Sequence, residues 1–435
     1  MRLRAVRVRA ASRGLAWACG LALVAGSGCD RVSRGGEGGG GPPPIEITSW
    51  WQKVGAIDQM GGLVSAHHRR SPDDLVIQSG AGLSGLKRRA LRARMLRNTP
   101  PDTFEANAGG DLLQWVLVNG VDATESKLLP LDDLVEGVAE WRRAVPPAIL
   151  EQVSYQGKIY GVPVNVYRIN TIFYNARVFR RFGLTEPTTL ADFPVLADKL
   201  GGSGVSLIAM GSRDPWTLAL LTFECLLVAR EGPGFYTDYF KGRVAADDAR
   251  VVRTLQAALE LGRFFNPNHA RLSWSDAVEM VADGRAAMTV MGEWAEGEFQ
   301  SRGMRLGVDF REIPFPGSDG TFVFTADSYG LPAAAKNEAG ARRLLATMGT
   351  PEGQHAVNDG MGALSARLDV PAPPGAGLAE VNHALLERGA LVLALSGLVP
   401  PLYATDVGAS LVEMLAEHDV EPVVHTLRSR RVLLR

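Results

Sequence analysis

The sequence predicts an α/β protein built from two lobes, and three observations lead to that class. Strand-like and helix-like segments alternate after residue 45, an order that favours parallel sheets covered by helices. The stretch 286–299 opens with a continuous apolar run, typical of a strand buried on both faces, and then passes through Gly292 to Glu293 and Trp294. With 435 residues, 46% of them hydrophobic, the chain can form two packed cores.

The first 44 residues have the composition of an export signal followed by a tether. An arginine-rich start precedes an apolar run at 15–26, which is too short to span a bilayer comfortably. Small residues lead up to Cys29, a pattern that resembles a bacterial lipoprotein signal, although Gly26 stands where leucine is usual. We therefore expect a lipoprotein-type signal peptide at 1–28, lipid attachment at Cys29 and a Gly/Pro-rich tether at 29–44. The alternative is ordinary cleavage nearby, which leaves Cys29 as a free thiol or removes it.

The balance of charges gives no reason to expect nucleic acid or an anionic membrane surface as a partner. Lys and Arg number 46 and Asp and Glu 47, for a net charge of -1. Of the three cysteines only Cys225 lies in the predicted folded part, which excludes an intramolecular disulfide framework. No metal site is predicted, because the arginines after His67 and His68 would repel a cation and favour a solvated helix end.

The N-terminal lobe is predicted to start with a strand at 45–48, and Trp50 and Trp51 follow it closely. Neighbouring side chains on a strand point to opposite faces, so one of these two tryptophans should face solvent or a ligand. The other elements predicted for this half are a helix before Pro72, a strand at 73–78, a helix at 86–96, a strand at 102–107 and paired short strands at 155–167.

The C-terminal lobe is predicted from a similar alternation. Its elements are a strand at 172–175, helices at 176–182, 218–229, 249–264 and 275–283, and the strand that opens the stretch 286–299. A strand at 322–332 and a helix at 339–348 follow, and the remainder is mostly helical. Each lobe is expected to consist of two pieces of the chain, 45–166 with 290–338 for the N-terminal lobe and 167–289 with 339–435 for the C-terminal lobe.

Several tryptophans stand where loops meet predicted elements, namely Trp50, Trp51, Trp216, Trp274 and Trp294. The flat face of an indole packs on the C–H patches of a sugar ring, whereas sugar hydroxyls need carboxylates and amides. Side chains of that second kind occur near the same places, at Asn165, Glu293 and Asp327. The combination predicts a saccharide-binding cleft. The alternative for each single tryptophan is a hydrophobic cap on a helix end.

Two other chemistries have weaker support in the sequence. Residues 80–85 have the G-x-G-x-x-G spacing of a dinucleotide site, with Glu105 about twenty residues further on. Nicotinamide cofactors are scarce outside the cytoplasm, and this strand is not the first of its domain, so we expect no cofactor. The acids Glu105, Glu293 and Asp327 could also include a glycosidase pair, whose separation the sequence does not fix.

Seven short motifs follow one another along the chain: Ser49-Trp50-Trp51, Pro101-Asp102-Thr103-Phe104, Gly161-Val162-Pro163-Val164-Asn165-Val166-Tyr167-Arg168, Asp214-Pro215-Trp216-Thr217, Trp274 before its helix, Met291-Gly292-Glu293-Trp294 and Ala326-Asp327-Ser328-Tyr329. As an ordered set they resemble the carbohydrate-type extracellular solute-binding proteins of ABC import systems, most closely their glucose/mannose-binding branch. The resemblance covers 45–370 and implies a two-lobed periplasmic-binding-protein fold, class II-like, in which the lobes close over the ligand like a hinge. The crossings between lobes would then fall near Asn165, Met291 and Tyr329.

The resemblance also implies which residues touch the ligand. Positions that look like sugar contacts in relatives are occupied here by Trp50, Trp51, Trp216, Trp274 and Asp327. Together with the candidates above, the predicted ligand-binding set is Trp50, Trp51, Glu105, Asn165, Trp216, Trp274, Glu293, Trp294 and Asp327. The chain departs from the branch in four features: 54–57 lacks a Gly-Gly-Glu, Glu105 replaces a glutamine, Met361 stands near the place of a lysine, and a late histidine is missing near Ser396.

The expected function is that of an exported receptor, periplasmic or at the cell surface, tethered to the membrane through its N-terminal lipid. It would capture a mono- or short oligosaccharide and deliver it to ABC permease subunits. We expect it to act as a monomer, without cofactor or catalysis. Two alternatives stay open, an exported glycoside-acting enzyme and a sugar-sensing receptor that presents its bound form to a signalling partner.

Overall fold

The computed structural model describes residues 30–32, 43–50, 53–54, 57–58, 60–78, 84–117, 126–134, 138–359, 363–372 and 377–434. Three sheets carry the fold within these ranges, and we name them the N-lobe sheet, the C-lobe sheet and the connecting sheet. Two short hairpins pair Lys53–Val54 with Ile57–Asp58 and Ser154–Tyr155 with Lys158–Ile159.

The N-lobe sheet has six strands, in the order Asp30–Val32, Leu75–Gln78, Ile45–Thr48, Thr103–Asn107, Asp327–Gly330 and Gly161–Pro163. The strand Ile45–Thr48 is parallel to both of its neighbours, as the strand-helix-strand order predicts, and the other pairs are antiparallel. One edge strand of this sheet, Asp30–Val32, comes from the segment predicted to be a tether.

The C-lobe sheet has four strands, in the order Ser206–Ala209, Ala286–Met291, Thr171–Asn175 and Phe310–Pro314. Every residue of Ala286–Met291 is buried, which confirms the prediction of a strand covered on both faces. Only the pairing of this strand with Ser206–Ala209 is parallel. Both lobe sheets are therefore mixed, in a fold that confirms the predicted α/β class.

The connecting sheet joins the two lobes. Its order is Leu364–Ser365, Asn165–Arg168, Phe322–Thr325 and Leu391–Leu393. Asn165–Arg168 follows an N-lobe strand and precedes a C-lobe strand, and the antiparallel Phe322–Thr325 makes the same crossing in the opposite direction. The chain thus changes lobe close to Asn165 and Tyr329, two of the three places predicted.

The helices cover these sheets. The helices that contribute to the core of the N-terminal lobe are Gly61–Arg70, Ser84–Leu96, Gly110–Leu113, Val138–Ala144, Pro147–Gln152, Glu338–Met348, Pro351–Asn358 and Ala379–Glu387. The helices of the C-terminal lobe are Ala176–Phe182, Asp192–Leu200, Trp216–Ala219, the π-helical Leu220–Leu227, Val228–Phe240, Ala249–Gly262, His269–Arg271, Trp274–Ala282, Ala295–Ser301, Leu395–Leu398, Pro401–Glu417, Glu421–Ser429 and Arg431–Leu434. Among the helices that the structure describes, none is long and apolar enough to cross a membrane.

The structure corrects the lobe boundary and the crossing predicted near Met291. Met291 pairs with Thr171 inside the C-lobe sheet, and the ring of Phe299 stacks on that of Phe310 with centroids 4.5 Å apart. The segment 290–316 therefore stays in the C-terminal lobe. Sequence periodicity could not reveal this, because it shows that a strand is buried but not which strands pair with it.

A second correction concerns the segment after residue 338, which was predicted to join the C-terminal lobe. The helices Glu338–Met348 and Pro351–Asn358 pack instead against Gly61–Arg70 in the N-terminal lobe. The packing is close enough that a Cβ on Gly62 would overlap the carbonyl oxygen of Ala356. The N-terminal lobe therefore contains a third piece of chain.

His67 lies inside this packing rather than at a solvated helix end. Its ring is fully buried, with Nδ1 3.2 Å from Thr347 Oγ1 and Nε2 3.4 Å from Asp73 Oδ2. Burial lowers the pKa of His67, and the neighbouring Asp73 carboxylate opposes that shift. The histidine links two N-lobe helices to the start of a strand.

Glu224 is a buried acid in the π-helical segment Leu220–Leu227, where it accepts a hydrogen bond of 2.6 Å from the backbone N–H of Leu395. Burial raises its pKa from 4.5 to about 7, against the weaker opposite effect of that hydrogen bond. The native state therefore keeps this proton at pH values where the unfolded chain has released it. The resulting stability is complete below about pH 4.5 and is lost as the pH rises through about 7.

We expect Glu224→Gln to stabilise the protein in a pH-dependent way. Its free energy of unfolding relative to the parent should rise by roughly 3 kcal/mol between about pH 4 and about pH 8, since the pKa of Glu224 moves from 4.5 to about 7 on folding and one pKa unit corresponds to about 1.4 kcal/mol. Urea unfolding at several pH values measures this. The exposed Glu413→Gln is the control and should show no such trend. A constant difference between Glu224→Gln and the parent would contradict the prediction.

Candidate functional site

Glu105 occupies the N-lobe side of the site. It lies in Thr103–Asn107, next to the parallel strand Ile45–Thr48, and so the carboxyl ends of both strands bring Ser49 and Trp50 to it. Its Oε2 accepts hydrogen bonds from the Ser49 hydroxyl and from the backbone N–H of Trp50, the latter at 2.8 Å. The guanidinium of Arg88 lies 4.5 Å from the centre of the Trp50 ring and helps to fix its orientation.

The environment of Glu105 favours its neutral form. The side chain is 1% exposed, and burial raises its pKa well above the ordinary value, with the negative charge of Asp327 as the second cause. The hydrogen bonds from Ser49 and Trp50 oppose this shift only in part. Oε1 has no hydrogen-bond partner in the part of the chain described, so this oxygen is a candidate to bind a hydroxyl group.

Asn165 and Asp327 tie the two crossing segments together. The Asn165 amide donates to Asp327 Oδ2 at 3.1 Å, and Asn165 Oδ1 accepts from the Asp327 backbone N–H at 2.9 Å. The same Asn165 Nδ2 donates to the Tyr167 hydroxyl at 3.1 Å. Because Asp327 is only 4% exposed, its carboxylate is a strong acceptor in a nearly dry environment.

The tryptophans of the C-terminal lobe continue this polar group. The rings of Trp294 and Tyr167 meet edge to face with centroids 5.4 Å apart, and those of Trp216 and Trp294 do so at 6.0 Å. Trp294 packs against the hydrophobic cores of both lobes, and Trp216 remains 38% exposed. Trp294 therefore lies at the junction of the lobes, although the chain does not cross between them there.

Gly292 allows the indole of Trp294 to fold back over the chain. A Cβ at this position would overlap the Trp294 ring atoms Cη2 and Cζ3. We expect Gly292→Ala to displace that ring and to lower stability by roughly 1–3 kcal/mol, the usual effect of overpacking.

The near-ultraviolet circular dichroism of the tryptophans and the unfolding temperature measure this effect. Gly234→Ala is the matched control, because a Cβ there meets open space in the helix Val228–Phe240. It should be neutral or slightly stabilising. An unchanged tryptophan spectrum in Gly292→Ala would contradict the packing described.

Glu293 is placed differently from the prediction that it binds ligand. Its side chain is 3% exposed, and both carboxylate oxygens accept from protein donors, Oε2 from the backbone N–H of Arg168 at 2.7 Å and Oε1 from the amide of Asn382. Burial raises the pKa of Glu293, but both partners are donors, so a proton on either oxygen would displace one of these bonds. Each oxygen of this carboxyl group is therefore engaged by a donor of the protein itself.

Of the remaining predicted residues, Trp274 packs on the same hydrophobic cluster as Trp294, and two lie outside the described ranges. The backbone N–H of Trp274 donates to Asp214 Oδ2 at 3.0 Å, which places this residue beside the loop that leads to Trp216. Trp51 and Cys29 fall outside the residues that the structure describes, as does most of the glycine-rich segment 80–85.

Three residues of the site were not singled out in the sequence. Tyr167 and Arg168 stand in the motif 161–168, and the two-residue spacing from Asn165 could have indicated that Tyr167 shares its face. Asn382 gives no local signal, because it lies in a helix and meets Arg168 across 214 residues of sequence.

Sequence comparisons give a consistent set of matches. The profile described as bacterial extracellular solute-binding protein matches residues 74–355. An uncharacterized ABC transporter extracellular-binding protein of Pyrococcus horikoshii is 32% identical over 335 residues, which cover 76% of this chain and 73% of that protein. A probable sugar-binding periplasmic protein of Mesorhizobium japonicum is 33% identical over 337 residues, which cover 75% of this chain and 76% of that protein.

Solved structures agree on the architecture. The bacterial solute receptor AcbH, for which an exclusive substrate preference for β-D-galactopyranose is described, superposes with a TM-score of 0.76. The superposition covers 89% of this chain and 97% of that receptor at 19% sequence identity. At this identity the likeness concerns the fold, and it confirms the predicted two-lobed class.

Proposed function

This chain belongs to the bacterial extracellular solute-binding protein family, and we propose that it binds a small saccharide between its lobes for delivery to the permease of an ABC importer. One observation carries the choice of ligand. Aromatic rings and polar side chains form an array of contacts from Trp216 through Trp294 to Asp327. Glu105, whose pKa the charge of Asp327 raises, continues this array to Trp50. An array that crosses from one lobe to the other can hold a ligand only when the lobes are close together.

The array combines the two chemistries that a sugar requires. Trp216 and Trp294 offer apolar faces to the C–H patches of a pyranose or furanose ring. Glu105 and Asp327 offer carboxyl oxygens to its hydroxyl groups, in surroundings from which water is largely excluded. A buried hydrogen-bonding group left without its partner costs about 1–3 kcal/mol, so this site selects ligands whose hydroxyls match it.

The named relatives support the ligand class without identifying the sugar. The Mesorhizobium protein is described as sugar-binding, and the structural neighbour AcbH as a receptor for a galactopyranose. The present chain has Glu105 in place of the usual glutamine and lacks the lysine and histidine of the glucose/mannose branch. We therefore assign a mono- or short oligosaccharide whose hydroxyl groups match this altered set of polar residues.

The protein is a receptor rather than an enzyme, as its relatives are solute-binding proteins. The site geometry supports this reading, because both oxygens of the buried Glu293 accept hydrogen bonds from the protein, an arrangement typical of a structural carboxylate. The glycosidase alternative would have to rely on Glu105 and Asp327 alone.

We also propose that the exported protein is held at the membrane by a lipid on Cys29 and works as a monomer. The support for the lipid anchor is in the sequence, with its arginine-rich start, short apolar run and small residues before Cys29. Replacing Cys29 by serine would release the protein from the membrane if the lipid is the anchor.

A thermal-shift screen over mono- and disaccharides, followed by calorimetry of the hits, tests the proposed function. A ligand that binds only the native state raises the apparent stability, and calorimetry should then show one site per chain. Chromatography of the mixture after prolonged incubation should show intact sugar. Appearance of hydrolysis products would favour the enzyme, and the absence of any shift across the panel would contradict the saccharide proposal.

A further inference from the structure

Three separate parts of the chain meet at Glu293. Besides the two bonds to its carboxylate, its own backbone N–H donates to the Arg168 carbonyl at 3.0 Å. The residue that precedes Trp294 is thus fastened to the crossing strand Asn165–Arg168 and to the helix Ala379–Glu387. Neither of these elements is close to Glu293 in sequence.

Arg168 completes the network with a fully buried guanidinium. It donates to Asn170 Oδ1 at 3.1 Å, to Asn382 Oδ1 at 3.0 Å and to the Thr321 carbonyl at 3.0 Å. Asn382 therefore stands between a cation and an anion, accepting from Arg168 with its oxygen and donating to Glu293 with its nitrogen. The oxygen of Asn382 faces a donor and its nitrogen faces an acceptor, so the amide fits in only one of its two orientations.

The hydrogen bonds of Glu293, Arg168 and Asn382 fix the backbone next to Trp294. Its ring folds over Gly292, meets Tyr167 on one side and Trp216 on another, and packs on the cores of both lobes. Glu293 and Trp294 are consecutive residues, joined by one peptide bond. A shift of the backbone at Glu293 would therefore move the indole of Trp294 relative to Tyr167. The ring orientation therefore depends on hydrogen bonds that no ligand touches.

We propose that Glu293 is a positioning residue, which sets sugar affinity by holding Trp294 in place through Arg168 and Asn382. The inference rests on the proposed function, since it concerns the same cleft. It differs from the prediction that Glu293 binds the sugar, because it assigns every hydrogen bond of the carboxylate to the protein.

Glu293→Gln offers a sharp test, since no orientation of the amides satisfies all the donors. If the new amide oxygen accepts from the Arg168 backbone, its NH₂ group faces the NH₂ group of Asn382. If Asn382 flips to relieve this contact, its NH₂ group faces the Arg168 guanidinium. We expect Glu293→Gln to weaken sugar binding by about tenfold or more.

The double variant Glu293→Gln/Asn382→Asp restores the hydrogen-bond pattern and moves the negative charge from residue 293 to residue 382. The glutamine accepts from the Arg168 backbone and donates to the new aspartate, which also accepts from the Arg168 guanidinium. Sugar affinity should return to within about threefold of the parent, because substitutions at two residues in contact can compensate for each other. A residue that bound the sugar through its own charge would not be rescued in this way.

The control is Glu296→Gln, a neighbouring acid that accepts from Gln300 at 2.6 Å within its own helix. It should bind as the parent does. Calorimetric affinity, unfolding temperature and the ¹⁹F resonance of 5-fluorotryptophan at position 294, assigned with Trp294→Phe, are measured for every variant. Restored affinity together with a restored resonance in the double variant supports the proposal.

The proposal is overturned if Glu293→Gln binds sugar as the parent does, even when its unfolding temperature falls. It is also overturned if the folded double variant stays weak. Should Glu293→Gln not fold, Asn382→Ser takes its place, and unchanged affinity in that variant would overturn the proposal. If the parent binds no sugar, the proposed function fails by itself, and the ¹⁹F resonance then decides the inference: a shift in Glu293→Gln that the double variant reverses supports it, and an unmoved resonance overturns it.

Discussion

Asp327→Ala is expected to abolish the rise in unfolding temperature that the sugar produces. The carboxylate is 4% exposed and lies in the middle of the array, between Asn165 and Glu105. Removing a buried, charged acceptor should cost about 3 kcal/mol of binding free energy, or roughly 150-fold in affinity. At a sugar concentration about 100 times the parent Kd, stabilisation should fall from about 2.7 kcal/mol to a few tenths.

Two further variants separate binding from structural damage. Asp327→Asn keeps an oxygen that can accept from the Asn165 amide, so the crossing segments stay joined while the charge is lost. It should unfold at nearly the parent temperature and still bind sugar weakly. Asp198→Ala, at an exposed position of the helix Asp192–Leu200, controls for the loss of a carboxylate elsewhere. Full affinity in Asp327→Asn and Asp327→Ala would place the sugar outside this cleft.

Local patterns predicted much of the fold because they depend on short-range physics. The alternation of the buried Ile45 and Ile47 with half-buried neighbours and the unbroken burial of Ala286–Met291 both follow from the geometry of strands. The assignment of segments to lobes failed at 290–316 and after 338. Whether Phe310–Pro314 pairs with Thr171–Asn175 or with an N-lobe strand depends on register and on the competing partners, which no short window of sequence contains.

The site shows the same division. Tryptophans at element ends and acids after strands were recognisable as candidates, and the structure brings Trp50, Glu105, Asn165, Trp216, Trp294 and Asp327 into one array. The sequence could not show which partner each polar group forms its hydrogen bonds with. Glu293 and Asp327 are both acids near strand ends. The carboxyl group of Glu293 accepts hydrogen bonds from Arg168 and Asn382, whereas that of Asp327 accepts one from Asn165 and lies near the buried Glu105. That difference arises from contacts across about a hundred residues or more.

Trp294→Ala should cause a loss of affinity comparable to that of Asp327→Ala, for an apolar reason. The indole is shared between the cores of the two lobes and is the link between Trp216 and Tyr167. Its removal takes away a stacking face for the sugar and also the ring that the lobes share when they close over it. We expect affinity to fall by about 100-fold and stability by roughly 3–5 kcal/mol, the usual range for deleting a large aromatic ring.

Trp294→Phe and Trp141→Phe together determine whether this loss belongs to the cleft. Phenylalanine at 294 keeps a flat ring and should recover part of the affinity. Trp141 is also buried, at 4% exposure, but its indole donates to the Gly349 carbonyl inside the N-terminal lobe. Trp141→Phe should therefore lower the unfolding temperature and leave the calorimetric Kd unchanged. If Trp294→Ala changes only the unfolding temperature as well, the indole is a packing residue and the sugar must bind without it.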